Sequence, residues 1–279
     1  MTSLAVGFFD GVHLGHQAIL KGADAALTFR NHPLSVLAPE RAPRLIMSAE
    51  ERVAAIKACG VKHVEVLDFT PELAAMSAEE FVDFLVKRKG FRFSSLRCGA
   101  NWRFGKGGAG DAEFLRSRGF AVEVVPYAEY KGEPVSSSRI RAALERGEIE
   151  DANAMLGRRY EVRGSRIRGK GLGKEIGYPT INLGLSNLNL KLPLGVYEVE
   201  AEGRKAIANY GLAPTMGDKA WERPILEIHL LGEGSEDVRP ETEDVMTVLF
   251  VRYVRPEKKF DSIDDLKRQI AADCATITA

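Results

Sequence analysis

The chain has 279 residues, 45% of them apolar and 28% charged, with 39 Lys plus Arg balanced by 39 Asp plus Glu. That length suggests two domains, each able to bury its own core, and the charge balance leaves no overall field to attract nucleic acid or an anionic membrane. Cys59, Cys98 and Cys274 stand far apart with no C-x-x-C spacing, which argues against a disulfide framework or a zinc site and suits a reducing cytoplasm. The chain shows no basic-then-apolar leader and no apolar run long enough to span a bilayer, so neither secretion nor membrane insertion is expected.

In chain order, the apolar run Leu4 to Phe9 predicts a short buried strand, and Gly15 to Lys21 the first turns of a helix. The stretch GFFDGVHLGHQAILKG therefore sets His13 and His16 at a strand-to-helix turn. Open α/β sheets bind ligands at such turns, and a helix start offers N–H groups to phosphate. Three residues apart, the imidazoles can face one phosphate and donate to it as its charge shifts in a transition state. Two surface histidines would give the same spacing, although the flanking glycines weaken that reading.

Up to about residue 157, short apolar runs alternate with helical patterns: ALTF, SAEERVAAIKACG, HVEVL, SAEEFVDFLVKRKG, SLRCG, AVEVVPY and SSSRIRAALERG. Capping boxes are expected at Ser48 with Glu51 and Ser77 with Glu80, and helix-ending glycines at Gly90 and Gly147. The alternation predicts a doubly wound parallel sheet. Few residues separate GHQ from Thr28, so its first helix must be short.

Three more segments fall at the same edge of that sheet. FRNHP puts His32 just after ALTF, where a turn histidine before proline is as good a reading as a functional one. GANWRFGKGGAG offers Asn101 for hydrogen bonding, two aromatics for stacking, Arg103 and a glycine-rich loop; it reads equally as a flexible surface loop. VSSSRIR precedes a helix, so hydroxyls and N–H groups can gather with Arg139 and Arg141 around a phosphate. A serine N-cap beside two solvated arginines is the plainer alternative.

From Tyr160 the texture changes to strand-like runs, YEVRGS, GVYEVEA, ILEIHLL and DVMTVLFVRYV, which predict an antiparallel sheet or barrel. A last helix from Ser262 would cap it. The expected fold is thus α/β: an N-terminal doubly wound parallel-sheet domain over 1–157, then a C-terminal antiparallel β-barrel with a terminal helix over 158–279. GKGLGKEIGYPTINL is not a P-loop, because no segment supplies G-x-x-x-x-G-K-[ST]; a bulge-rich loop is one reading of it. Thr180 and Asn182 alternate along a strand and point the same way, which suits two oxygen ligands for one hard cation. In ILEIHLL, the period of two sends Leu226, Ile228 and Leu230 to one face and Glu227 and His229 to the other. Glu227 is then either a solvated sheet residue or, facing a site, an acceptor for the proton of a primary alcohol.

GFFDGVHLGH, FRNHP, GANWRFG and VSSSRIR together resemble the FMN adenylyltransferase module of the bifunctional bacterial riboflavin kinase/FAD synthetase family, nucleotidyltransferases with an H-x-G-H signature. GKGLGKEIGYPTIN, the NYGLAPTMG turn, LEIHLL and VRPEKKFDSIDDLKRQI resemble, in order, its riboflavin kinase module. In the first module the resemblance implies that His13 and His16 hold the ATP phosphates and stabilise the adenylyl transition state. It also implies that Asn101 belongs to the flavin and nucleotide pocket, and that Gly15, Ser137, Arg139 and Arg141 bind nucleotide or phosphate. In the second it implies Thr180 and Asn182 as ligands of Mg²⁺ and ATP phosphates, Glu227 as base for the riboflavin 5′-hydroxyl, and Gly169 and Gly173 as shapers of the nucleotide loop. Arg30 and Asn31 depart from the family, which prefers an acidic or polar residue followed by proline, and GEGSEDVRPETEDV lacks the usual aromatic-glycine pair.

The implied activity is phosphorylation of riboflavin to FMN and adenylyl transfer to FMN giving FAD, with ATP as co-substrate and Mg²⁺ as cofactor. Riboflavin, FMN, FAD and ATP are the expected partners, with no nucleic acid, no membrane and at most a weak homo-oligomer, in the cytoplasm. The alternatives are a chain in which only the kinase half turns over, and a flavin or nucleotide binder without turnover.

Overall fold

The computed structural model describes residues 2–88, 93–168, 171–185, 192–213, 223–232 and 245–278. The chain forms two compact units, Met1–Ser138 and Arg139–Ala279.

The first unit is built on five parallel strands, β1 (Ser3–Val6), β2 (Ala25–Phe29), β3 (His63–Leu67), β4 (Ser95–Gly99) and β5 (Ala121–Val125), in the order β3-β2-β1-β4-β5. Leu4 and Val6 pack into one core with Leu27, Leu96 and Phe81, while Ala5 packs into another with Ala26, Leu20 and Ile56. Burial on both faces explains why β1 and β2 read as continuous apolar runs. The strand order reverses between β1 and β4, and in open sheets the crevice beyond the carboxyl ends at that point is where ligands bind.

Among the described residues this unit carries the α-helices α1 (Leu14–Leu20), α2 (Leu34–Leu37), α3 (Ala49–Ala58), α4 (Pro71–Ala75), α5 (Ala78–Asp83) and α6 (Ala112–Ser117). The first helix is short, as expected. Its end is secured from the neighbouring strand, because Arg97 donates to the carbonyls of Ile19 (2.9 Å) and Ala18 (3.3 Å); a cation there complements the helix dipole. Both capping boxes form, with Ser48 N–H donating to Glu51 at 2.7 Å and Ser77 N–H to Glu80 at 2.8 Å. Gly90 lies outside the described residues, and the helix leading towards it widens to π geometry over Phe84–Arg88. A two-residue ladder, β6 (Glu129–Tyr130) with β7 (Glu133–Pro134), closes through Lys131 and Gly132, both with positive φ, the backbone of a tight hairpin turn.

Of the two aromatics in GANWRFGKGGAG, Phe104 is drawn into the core. Phe104 is 7% exposed, Trp102 stacks on it at 4.7 Å, and a Cβ at Gly110 would sit 2.5 Å from its ring. The loop closes on its own phenyl ring, so burial of apolar area takes what the sequence offered for recognition.

α7 (Ser137–Glu145) links the two units, followed by α8 (Ile149–Leu156). Gly147 ends α7 with φ +78° and its N–H bonded to Leu144 O at 3.1 Å. The second unit is a closed antiparallel barrel of β8 (Tyr160–Ile167), β9 (Ile181–Gly184), β10 (Gly195–Ala201), β11 (Arg204–Ala213), β12 (Arg223–Leu230) and β13 (Val245–Pro256), with α9 (Leu172–Glu175) between its first two strands. The barrel order is β10-β11-β12-β9-β8-β13. Leu226, Ile228 and Leu230 are buried, as the alternation predicts. NYGLAPTMG differs from expectation: Asn209 to Ala213 continue β11 as strand, and the rest of the segment lies outside the described residues. The terminal helix α10 (Ile263–Thr278) starts where Ser262 Oγ accepts from Asp265 N–H at 3.1 Å, and it packs Ile277 and Cys274 against Val196 and Ile207.

Candidate active sites

In the first unit the turn after β1 is backbone-strained. Phe9 (φ 57°) and Val12 (φ 40°) flank Gly11 (φ 82°), and left-handed backbone is rare for an aromatic or β-branched residue, costing about 1–3 kcal/mol each. Four side chains hold the turn. Thr28 Oγ1 donates to Phe8 O at 2.8 Å, Gln17 Nε2 to Val12 O at 2.9 Å, and Ser137 Oγ to Asp10 O at 2.9 Å. The Asp10 carboxylate, 2% exposed, accepts from Ile46 N–H at 3.0 Å.

The turn delivers His13 to the N-cap of α1. Its Nδ1 accepts from His16 N–H at 3.3 Å, and the two rings stack at 3.6 Å. An accepting Nδ1 leaves the hydrogen of a neutral His13 on Nε2. A Cβ at Gly15 would come within 3.2 Å of the His13 ring, so glycine there lets the imidazole lie against the backbone. His16 is sandwiched further by the edge of Phe9 at 5.3 Å, and its Nδ1 is sealed from solvent without a partner. Burial first, and the neighbouring His13 second, hold the His16 pKa well below its ordinary value, so the ring is neutral at physiological pH.

Asn101 is exposed in the turn after β4, where Trp102 N–H donates to Gly99 O at 3.1 Å. The histidine pair and Asn101 thus stand at the carboxyl ends of adjacent strands. His32 accepts from Leu34 N–H through Nδ1 at 3.1 Å, the turn role its alternative reading gave it. Ser137, Arg139 and Arg141 lie within the first turns of α7 rather than before it, both arginines partly buried and within the second unit.

Sequence reasoning missed Arg52. Its side chain is fully buried, donates through Nη2 to the carbonyls of Phe29 and Arg30, and lies 4.3 Å over the Phe8 ring. Burial lowers its pKa, while Asp10 and then Glu50 oppose that shift. On a helix opening SAEER, nothing local distinguishes this residue from a solvated arginine.

In the second unit a cavity of about 700 Å³ collects Thr180, Asn182, Glu227, His229 and Gly173, with Ile176, Val196, Ile207, Leu266 and Ile270 as its apolar wall. The register explains the convergence. Asn182 on β9 pairs with Glu227 on β12, which pairs with Asn209 on β11, so three polar residues form a row across adjacent strands. Asn209, inside the segment expected to be a turn, is another residue the sequence did not single out. Glu227 opens into this cavity between buried Leu226 and Ile228. At Gly173 a Cβ would sit 2.4 Å from Tyr178 O and 3.1 Å from Thr180 Oγ1; only glycine permits that approach. Gly169 lies outside the described residues. Among the described residues no group of three His, Cys, Asp or Glu could hold a metal by itself.

A parallel-sheet unit with a strained histidine turn at its switch point, joined to a barrel with a polar row beside an apolar slot, has the make-up of a two-domain enzyme that binds small molecules. The sequence model of the FAD synthetase family matches residues 1–139, and that of riboflavin kinase residues 156–279. The chain belongs to the bifunctional riboflavin kinase/FMN adenylyltransferase family and is an enzyme of flavin cofactor synthesis.

Relatives bearing that description include those of Bacillus subtilis (32% identical, covering 97% of this chain and 89% of that protein) and Pseudomonas fluorescens (32%, 98% and 91%). The Escherichia coli K12 protein is also similar (32%, 97% and 90%). A crystal structure described as a macrolide-efflux protein from Streptococcus pneumoniae matches with a TM-score of 0.85 at 28% identity, covering 99% of this chain and 93% of that one. That description belongs to the pneumococcal protein; among the described residues here no helix is long and apolar enough to cross a membrane.

Proposed function

We propose a residue-level division of the two reactions, with the functional boundary at 157/158. On the sheet, a phosphate oxygen of FMN attacks the α-phosphorus of ATP in line and pyrophosphate leaves. His13 and His16 donate to the phosphates as negative charge shifts, Gly15 admits the nucleotide to the turn, Asn101 bonds the flavin or nucleotide, and Ser137, Arg139 and Arg141 bind phosphate. The stacked rings, fixed by the turn, need no reorganisation when the reaction begins.

In the barrel, Glu227 takes the proton of the riboflavin 5′-hydroxyl as its oxygen attacks the γ-phosphorus of ATP and ADP leaves. Thr180 and Asn182 hold the phosphate end, Gly169 and Gly173 shape the loop around it, and the apolar wall takes the flavin ring. The Thr180 and Asn182 oxygens suit Mg²⁺, which is commonly held by few protein ligands plus phosphates. Bound there, the ion would neutralise charge on the transferring phosphoryl group. The observation that carries this reading is the convergence of Thr180, Asn182 and Glu227 on one cavity. Cys59, Cys98 and Cys274, none of them in a disulfide, favour a cytoplasmic location, and the balanced charge leaves nucleic acid out of the partners.

The test is to incubate the protein with riboflavin, ATP and Mg²⁺ and separate the flavins over time. FMN followed by FAD is expected. FMN alone would leave only the kinase active, and binding without any product would make the chain a flavin sensor.

A further inference from the structure

We propose that His229 is a positioning residue of the kinase site: its ring holds the Pro179 carbonyl and so fixes the turn that presents Thr180 to the nucleotide. The inference rests on the reading of Thr180 and Asn182 as the phosphate side of the cavity. His229 Nδ1 lies 2.9 Å from Pro179 O. A carbonyl can only accept, so Nδ1 carries the hydrogen.

The bond sits where the backbone ladder runs out. The pairing of β9 with β12 ends at Ile181 opposite Ile228; continued one step it would set Thr180 opposite His229, but β9 has already ended there. Pro179, with no N–H, offers only its carbonyl. The imidazole takes up that carbonyl from the side. On the other flank Tyr178 N–H donates to Gly173 O at 2.7 Å, and the Tyr178 ring meets His229 edge-on at 5.4 Å. The turn from Tyr178 to Thr180 is therefore held at one point by the glycine loop and at another by His229. With Glu227 two residues earlier on the same face of β12, one strand supplies the base and the anchor of the phosphate turn.

Side chains that orient ligating groups are worth roughly 10- to 100-fold when removed. The experiment compares His229→Ala, His229→Asn and His229→Gln in the full chain by riboflavin phosphorylation, with hydrogen exchange of segment 178–184 in nucleotide-free protein as a readout independent of turnover. Asparagine places an amide N–H where Nδ1 lies, whereas glutamine places it near Nε2. Alanine and glutamine should raise the KM for MgATP about 10-fold, leave the KM for riboflavin within about twofold, and speed exchange in the segment. Asparagine should restore both properties towards wild type. If alanine leaves exchange and the MgATP KM unchanged, or asparagine fails as alanine does, the inference is wrong. Thr180→Ala run in parallel separates the two readings: if it leaves the MgATP KM unchanged, the assignment of the phosphate side fails, while the exchange data still judge the anchor.

Discussion

Replacing Asp273 by alanine is expected to destabilise the second unit by about 3 kcal/mol and to weaken riboflavin binding in particular. Asp273 is 4% exposed on α10 and accepts from Arg255 Nε at 3.1 and 3.0 Å, from Arg255 Nη2 at 2.6 Å and from Gln269 Nε2 at 2.9 Å. Removing one partner of a buried pair costs roughly 3–5 kcal/mol, because the remaining charge loses its compensation. The Arg255 side chain retains 21% exposure, so water can solvate part of it, which selects the lower end of that range. The pair ties β13 to the helix that also supplies Leu266 and Ile270 to the cavity wall. Loosening α10 should raise the KM for riboflavin, while Thr180 and Asn182 on β9 and its turn keep that for MgATP. Denaturant unfolding of the full chain measures the first effect and steady-state phosphorylation the second. A loss below about 1 kcal/mol would mean that the pair acts like a surface ion pair. An equal rise in both KM values would refute the assignment of α10 to the flavin side.

His16→Ala should lower FAD formation about 10²-fold, the usual loss for one transition-state donor, while riboflavin phosphorylation is spared; equal loss of both would point to misfolding. Glu227→Gln should do the reverse, cutting FMN formation about 10²- to 10⁴-fold while FAD still forms from supplied FMN, and unchanged phosphorylation would remove Glu227 as the base. The depressed pKa of His16 has a definite sign: below the ordinary value of 6.5 the unfolded chain binds a proton that the folded chain refuses. Its contribution to stability is therefore complete above about pH 6.5 and is lost as pH falls towards the folded pKa. Unfolding midpoints between pH 5 and 8 should show this slope in wild type and a shallower one in His16→Gln; identical slopes would mean that the ring is not held neutral.

Much of this architecture was legible because it is periodic or local. The apolar runs around Leu4, Ala26 and Leu96 mark buried parallel strands, the Ser48 and Ser77 capping boxes mark helix starts, and the alternation in ILEIHLL places Glu227 on the face away from the core before any coordinates are known. Illegible features depend on pairing across sequence. Asn209 joins the row beside Glu227 only through the register of β11 with β12, and no local pattern encodes register. Phe104 turned inward because its loop closes at Gly110, and Asp273 looked like one more acid on an amphipathic helix until β13 brought Arg255 to it.

Arg30, which stands where the family prefers an acidic or polar residue, shows how such pairing changes the meaning of a departure. Its guanidinium turns to Asp68 at 3.0 Å and to Glu50 at 3.8 Å, on the surface, so its charge is answered outside the histidine turn. Positive charge inside that unit comes instead from Arg52, which grips the carbonyls of Phe29 and of Arg30 itself. A strained turn at Phe9 and Val12 persists only if its surroundings determine it fully. Here buried Asp10 fixes the turn to Ile46, while Arg52 lies beneath Phe8. The stacked geometry of His13 and His16 is thus a property of the end of β2 and the start of α3 as much as of the H-x-G-H residues.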